Sequence, residues 1–169
     1  MIKAISEKLS QYDFLTNLLP GTMLCIMLRY MVGFNFEFSA EWYQLIVIFY
    51  FVGMVNNRVG SLLIEPMLRR LKIVKPTSYK SFILAEKKDE KIPTLMVENN
   101  VYRSCISMCL ITLFAFGYRW LIEHIRFFEK NTSFILLIGL IILFVFSVHK
   151  QTRYINNRVE QVNKGVDRD

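Results

Sequence analysis

Four runs of mainly apolar residues divide this chain, and each is close to the length of a helix that crosses a lipid bilayer. Such a helix needs about 20 mainly apolar residues, and its backbone groups must be hydrogen-bonded internally because the hydrocarbon offers no water. The fourth run is the most apolar, since no formal charge lies between Lys130 and Lys150. The pattern therefore predicts an all-α integral membrane helical bundle with four transmembrane helices, at about 15–34, 42–60, 102–122 and 133–149.

The first run allows two interpretations because Pro20 and Gly21 interrupt it. In one, a helix crosses from Phe14 with a kink at the proline. In the other, residues 2–19 form an amphipathic surface helix and the crossing begins at Pro20, since proline is favourable in the first turn of a helix. We narrowly favour the second, because apolar residues recur there at helical spacing, at Ile2, Ile5, Leu9 and Tyr12.

The polar parts are predicted to form a short helical cytoplasmic segment at 61–101 and a helical tail at 150–169. Pro93 and Thr94 are suited to begin a helix that runs directly into the third span. Apolar residues in the tail recur at helical spacing, which indicates that the fourth helix continues beyond the membrane. They are Tyr154, Ile155, Val159 and Val162. We expect a single membrane domain, because the 61–101 segment is too short to bury its own core.

Basic residues are distributed unevenly around the four runs, and this predicts the orientation. Eight Lys or Arg residues lie in 61–101, whereas 35–41 contains none and has two glutamates instead. Since cytoplasmic loops are enriched in Lys and Arg, we expect the 61–101 segment and both termini to be cytoplasmic, in a bacterial inner membrane. The connection near 123–132 is then outside, close to the outer belt of aromatic residues.

The formal charge of +7 is concentrated outside the apolar runs. It therefore suits anionic lipid headgroups, and direct nucleic-acid binding is not expected. Basic and apolar residues alternate just after the second run, as in an interfacial turn of helix. The residues expected to contact headgroups are Arg69, Arg70, Lys72 and Lys75.

The chain lacks the residue patterns of an enzyme or a metal site. Cys25, Cys105 and Cys109 all lie in apolar stretches, as small buried hydrophobic residues do. The two histidines lie at opposite membrane boundaries, so no histidine pair could act in catalysis or bind a metal. Arg119 and His124 match the Arg-x4-His pattern of HEPN ribonucleases, but they would lie outside, away from RNA. We therefore expect no catalytic residue, metal or cofactor.

Ionisable residues at membrane depth are the first candidates for a function, because a central Arg costs about 2.5–3.5 kcal/mol on insertion scales. Arg58 and Arg103 lie near the inner ends of the second and third spans, and Glu65 follows Arg58 by two helical turns. We predict a polar partner or gating cluster between these spans, made of Arg58, Glu65, Asn99, Asn100 and Arg103. In the simpler alternative, which has slightly more weight, both arginines extend to inner-leaflet phosphates and the asparagines cap helix turns.

Arg29 is the intramembrane charge of the first run, several residues from either end. It faces the bundle or an oligomer axis in one interpretation. In the other, slightly favoured, its side chain extends past Tyr30 and Phe34 to the outer headgroups.

Three short segments resemble small multi-span bacterial proteins of antiphage defence operons, and the architecture is similar to that of the membrane subunit of the Kiwa system. The segments are Leu-Pro-Gly at 19–21, Asn-Arg-Val-Gly-Ser-Leu-Leu-Ile-Glu-Pro at 57–66 and Glu-Asn-Asn-Val-Tyr-Arg at 98–103. The resemblance implies an inner-membrane homo-oligomer that senses phage attack at the envelope and docks a cytoplasmic, DNA-binding effector subunit. It implies no active-site residue.

These expectations combine into a non-enzymatic sensor or effector of the inner membrane. It would contact lipids, oligomerise through close helix contacts at small residues, and couple an envelope stimulus to a cytoplasmic protein partner. The alternative is an oligomeric pore or ion channel that depolarises the membrane, with Arg29 or outer aromatic residues lining the path.

Overall fold

Four long helices make up the structure, a computed structural model that describes residues 13–34, 41–75, 77, 81–82, 85, 88–89 and 91–166. Each helix is long and apolar enough to cross a membrane, which confirms the predicted class of all-helical membrane protein. They are α1 (Phe14–Val32), α2 (Trp42–Arg70), α3 (Lys91–His124) and α4 (Arg126–Val166).

The first helix begins at Phe14 and continues through Pro20, so the favoured interpretation of a surface helix that ends before Pro20 is wrong for residues 14–19. Leu18 and Leu19 both have helical backbone angles. The first turn is a wide π-helical one over Phe14–Leu18, in which the Leu19 N–H donates to the Phe14 carbonyl five residues earlier. Pro20 has no N–H and cannot donate a helical hydrogen bond. The wider turn accommodates this missing bond, and the helix continues. The rest of the expected surface helix, residues 2–12, lies outside the described residues.

The same local structure recurs at the second proline. A π-helical turn spans Gly60–Ile64, the Glu65 N–H donates to the Gly60 carbonyl, and Pro66 follows. As in α1, the wide turn ends two residues before the proline. The second helix therefore continues to Arg70, beyond the predicted end at residue 60.

The first two helices cross at two glycines. A Cβ atom placed on Gly21 would lie 2.6 Å from the Gly53 backbone nitrogen, and one placed on Gly53 would lie 3.0 Å from the Asn17 Cα. Because both positions face backbone rather than flexible side chains, any side chain there would force the helices apart. Close approach at small residues is the usual packing of membrane helices.

The connection predicted at 123–132 is much shorter in the structure. Only Ile125 interrupts the helical backbone, and residues 126–132 are the first turns of α4. No glycine or proline occurs in 123–132, so nothing in the local sequence disfavours helix there. By contrast, the predicted continuations are confirmed at both Lys91–His124 and Arg126–Val166.

Three of the helices are longer than the hydrocarbon core of a membrane is thick, and their additional turns lie at one end of the bundle. At 1.5 Å per residue, α2 is about 44 Å long, α3 about 51 Å and α4 about 62 Å, against a hydrocarbon core of about 30 Å. Asn17 contacts Asn57, Asn56 contacts Ser104, and Tyr118 contacts Thr132, so successive helices run up and down. The end of α2, the start of α3 and the end of α4 therefore extend past the bundle on the same side. Most of the expected helical segment before α3 lies outside the described residues, although Ser81, Phe82 and Ala85 are helical.

The interior of the bundle is largely polar, and its surface is apolar. Among the described residues, the buried hydrophobic ones are Leu24, Cys25, Val32 and Ile64, whereas the buried polar ones are Thr16, Asn17, Asn56, Ser104, Ser107, Thr112 and Ser147. This reverses the arrangement of a soluble protein. It is the arrangement expected where lipid solvates the outside and small polar residues mediate helix contacts.

Candidate functional site

The contact between α2 and α3 is formed by small polar residues. The fully buried Asn56 donates from Nδ2 to the Ser104 carbonyl at 3.1 Å, and the Ser107 hydroxyl donates to the Asn56 carbonyl at 2.9 Å. Each of the two helices thus donates a side-chain hydrogen bond to a backbone carbonyl of the other. The two bonds fix the position of α2 along α3. Three buried polar atoms in this region, Asn56 Oδ1, Ser104 Oγ and Arg103 Nε, have no protein partner among the described residues.

A second asparagine connects three helices. Asn57 of α2 donates from Nδ2 to Asn17 Oδ1 of α1 at 3.2 Å, and its Oδ1 accepts from Arg103 Nη2 of α3 at 3.1 Å. Asn17 in turn donates to Asp13 Oδ1 at 3.3 Å, which the Tyr50 hydroxyl also approaches at 3.4 Å. Both polar atoms of the Asn57 amide are thus bonded across helix boundaries, which fixes the amide orientation.

Glu65 is the centre of the charged part of the site. Its carboxylate forms ion pairs with Lys150 at 2.8 Å, Arg103 at 3.5 Å and Arg69 at 2.5 Å. The side chains of Glu65, Arg103 and Lys150 are 21%, 16% and 18% exposed, so these charges are largely withdrawn from solvent. One carboxylate with three cations has a net charge of about +2, and it satisfies the pairing that buried charges require.

The wide turn before Pro66 explains why Lys150 binds where it does. In a regular helix the Ser61 carbonyl would accept from the Glu65 N–H, but that N–H donates to Gly60 instead. In the wider register the donor would be Pro66, which has no N–H. Lys150 takes the vacant position, because its Nζ lies 2.6 Å from the Ser61 carbonyl and 2.8 Å from the Ser61 hydroxyl. A proline in α2 thus creates an acceptor for a lysine in α4.

These contacts form one continuous polar chain through all four helices, which we call the Glu65 network. Its members are Asp13 just before α1, Asn17 of α1, Asn57, Ser61 and Glu65 of α2, Arg103 of α3, and Lys150 of α4. Because each helix contributes a bonded side chain, a shift of any one helix changes the bonds of the others.

Two of the five residues predicted for the cluster, Glu65 and Arg103, form an ion pair with each other across α2 and α3. The ion-pair partners of Glu65 among the described residues are Arg69, Arg103 and Lys150, and Arg58 is not among them. Arg58 is seven residues before Glu65, but the wide turn between them rotates the two side chains out of register. On α3, Asn99 is exposed and Asn100 is half-buried. Both lie at least four residues before Ser104, whose carbonyl accepts from Asn56.

Sequence reasoning missed five members of the Glu65 network, of which Asp13 lies just outside the first predicted run. Lys150 was assigned to the tail, although it is the first charge after the longest apolar run and therefore lies at a boundary depth similar to that of Arg103. Asn57 and Ser61 lie near the end of the second run, and nothing in their spacing indicates a bond to another helix. Asn17 gave no indication beyond being a polar residue inside the first run.

The other predicted residues lie at the surface. Arg29 is exposed, with its guanidinium 5.8 Å from the Tyr30 ring centroid, so it does not face the interior of its own bundle. Arg69 is paired with Glu65 and is half-exposed. Arg70, Lys72 and Lys75 are exposed at and beyond the end of α2, where headgroups can reach them.

At the opposite end, Arg119 ties α3 to the end of α1. Its guanidinium donates to the Val32 carbonyl in the last turn of α1 and pairs with Glu123 at 2.9 Å. A cation at a helix C-terminus is favourable because the last carbonyls lack helical partners. His124 donates from Nδ1 to the Trp120 carbonyl at 2.8 Å and stacks on the Trp120 ring. Arg119 and His124 thus have separate structural contacts and share no site.

No protein-family model, curated protein or solved structure matches this chain. Within the ranges that the structure describes, no group of three or more His, Cys, Asp or Glu side chains is arranged to hold a metal ion. The fold and the site define a polytopic helical membrane protein whose four helices are joined at one end by a buried network of charges and amides.

Proposed function

We propose that this chain is a non-enzymatic inner-membrane subunit that couples a stimulus at the envelope to a cytoplasmic protein partner. The Glu65 network is the observation that supports this function. The network joins the helices at the end where α2, α3 and α4 extend past the bundle. A change in helix packing would therefore pass through the network to these extramembrane segments.

The composition of the network suits a switch with two arrangements. A charge that is largely withdrawn from solvent needs a partner, so the network favours discrete helix packings over gradual sliding. The unpartnered polar atoms near Asn56 and Ser104 offer alternative hydrogen bonds for a shifted α3. A stimulus that favours the shifted packing would then move the whole population, provided that it interacts more strongly with that packing.

The resemblance to antiphage defence proteins supports a stimulus from phage attack. Two of the resembling segments, 57–66 and 98–103, include Asn57, Ser61, Glu65 and Arg103 of the Glu65 network. The defence role, the cytoplasmic position of both termini and a DNA-binding effector as the partner all belong to this proposal. The basic surface at Arg70, Lys72 and Lys75 would contact anionic headgroups next to that partner.

Glu65→Gln tests the function, and Glu123→Gln is its matched control. Both changes remove one carboxylate that pairs with an arginine, but Glu123 is 53% exposed at the other end of the bundle. We expect Glu65→Gln to weaken protection against phage and co-purification of the operon partner, with the amount of protein in the membrane unchanged. Glu123→Gln should preserve both activities.

Unchanged protection together with unchanged complex formation in Glu65→Gln cells would refute the proposed role of the network. Ion leakage from liposomes that contain the purified chain alone would instead favour the pore alternative.

A further inference from the structure

The C-terminal part of α4 has a stripe of mainly apolar residues in its sequence, and the stripe residues whose side chains the structure describes are exposed. The stripe follows the alternating spacing of four and three residues that defines a coiled-coil seam. Its members are Val148, Thr152, Ile155, Val159, Val162 and Val166, with Thr152, Val159 and Val166 at the a positions of a heptad and the others at d. All six are β-branched, and the helix continues without interruption to Val166.

The described seam residues are exposed. Val148 is 66% exposed, Ile155 53% and Val159 54%. Lipid does not cover the part of the stripe beyond Lys150, because Arg153, Arg158 and Glu160 are distributed around this part of the helix. An apolar stripe on an otherwise polar helix is stable in water only against another apolar surface.

The opposite face of the helix is occupied by the chain itself. Lys150, which donates to Ser61 and Glu65, is at the f position of this heptad. Position f points away from the seam. The contact that binds α4 to its own bundle therefore turns the seam outward, and a partner can bind without breaking the Glu65 network.

We propose that this seam pairs with the same segment of other copies to form a parallel coiled coil. All copies inserted with one topology present the tail on the same side of the membrane, so the helices meet in parallel and in register. The g and e positions that flank the seam would pair Gln151 with Asn156 and Arg158 with Asn163, and no like charges are opposed. This composition lets identical chains associate, since e and g charges set partner choice.

The short length of the seam is compatible with pairing at the membrane. Fewer than three heptads form a weak coiled coil between free peptides, but tethering to the same bilayer raises the effective concentration of the helices. β-branched residues at both a and d favour trimers or tetramers over dimers. The proposal depends on α4 alone and does not require the signalling role.

Cysteine cross-linking in membranes tests the seam with the full chain. In a background with Cys25, Cys105 and Cys109 changed to Ala, we compare Ile155→Cys at d with Asn157→Cys at f. Brief oxidation should link Ile155→Cys chains to one another at least about tenfold more efficiently than Asn157→Cys chains, because only d side chains meet across the axis. Equal cross-linking at both positions, or none at Ile155→Cys, would overturn the proposal.

A charge in the seam provides a second test that does not depend on disulfide geometry. Val159→Asp should convert the detergent-extracted oligomer to a smaller species, whereas Asn157→Asp should not. Cross-linking of Ile155→Cys to a different protein would also refute self-association. These experiments need neither phage nor partner, so their failure would leave the proposed coupling through Glu65 unaffected, and failure of the Glu65→Gln test would leave the seam unaffected.

Discussion

Pro66 shows how one residue can define the binding site of another that is 84 positions away. It removes a backbone donor, the preceding turn widens, and the Ser61 carbonyl becomes available to Lys150. The lysine then has a carboxylate, a hydroxyl and a carbonyl as acceptors, which matches the three donors of an ammonium group. The interaction depends on backbone register as much as on charge.

Lys150→Met tests the contribution of this lysine to stability. The change retains the length of the side chain but leaves Glu65 with one cation fewer and the Ser61 carbonyl without a donor. We expect a loss of about 1–3 kcal/mol, the cost of an unsatisfied partly buried acceptor. Heating the detergent-solubilised protein and measuring the fraction that remains monodisperse would show the lower stability.

Arg153→Met is the matched control, because Arg153 is exposed on the same helix one turn further on. Equal thermal stability of the Lys150→Met and Arg153→Met proteins would show that the contacts of Lys150 do not stabilise the bundle.

At the scale of single residues, the sequence predicted Glu65 and Arg103, because charged residues near the ends of the spans are few and their depth in the membrane can be estimated. It could not predict Lys150 as their partner. The fourth run is apolar on every side, so its periodicity gives no indication of which face meets α2. Arg58 was expected to share a helix face with Glu65 because a regular helix was assumed between them, whereas Gly60–Ile64 forms a wide π-helical turn.

Among the helices, the prolines have the opposite effect to the one expected in a soluble protein. Pro20 was favoured as the start of a helix and the second span was predicted to end at about residue 60, yet Pro20 and Pro66 both lie inside continuous helices after a π-helical turn. Breaking a helix in lipid exposes several backbone groups, whereas a wide turn leaves few unsatisfied. The number and approximate position of the spans followed from hydrophobicity alone, but the ends of the helices depended on this local adjustment.

The crossing of α1 and α2 gives a prediction at the scale of helices. Gly53→Ala places a methyl group against the backbone of Asn17, so the helices must separate and the nearby bond between Asn17 and Asn57 must lengthen. We expect destabilisation of about 1–3 kcal/mol, as for overpacked sites. The same heating experiment measures it.

Gly139→Ala is the control for this change, because a Cβ atom there meets nothing within 4 Å. It should be neutral or slightly stabilising, since alanine favours helix over glycine. If Gly53→Ala proved as stable as Gly139→Ala, the close crossing of α1 and α2 would be incorrect.

For the whole molecule, burial decreases along the chain. In the most apolar part of each helix, 39% of α1 is buried inside the monomer, but only 17% of α2, 11% of α3 and 6% of α4. The fourth helix contributes little packing inside the membrane, and its described polar attachments to other helices are at Lys150 and at Thr132, which accepts from Tyr118. A groove of about 600 Å³ between α2 and α4, lined by Phe51, Leu137, Leu140, Ile141, Phe144, Val145 and Val148, remains open to lipid chains. This loose attachment makes α4 the helix best able to move against the others.

The orientation of the whole molecule is testable because the two ends of the bundle differ in length and charge. The basic end, where α2 and α4 extend past the bundle, is expected in the cytoplasm, and the short turn at Ile125 is expected outside. In the cysteine-free background, Lys88→Cys and Glu129→Cys place single thiols at exposed positions on the two sides. A membrane-impermeant maleimide added to intact spheroplasts should label Glu129→Cys at once and Lys88→Cys only after lysis. The reverse pattern would put the Glu65 network at the outer surface, where no cytoplasmic partner could respond to it.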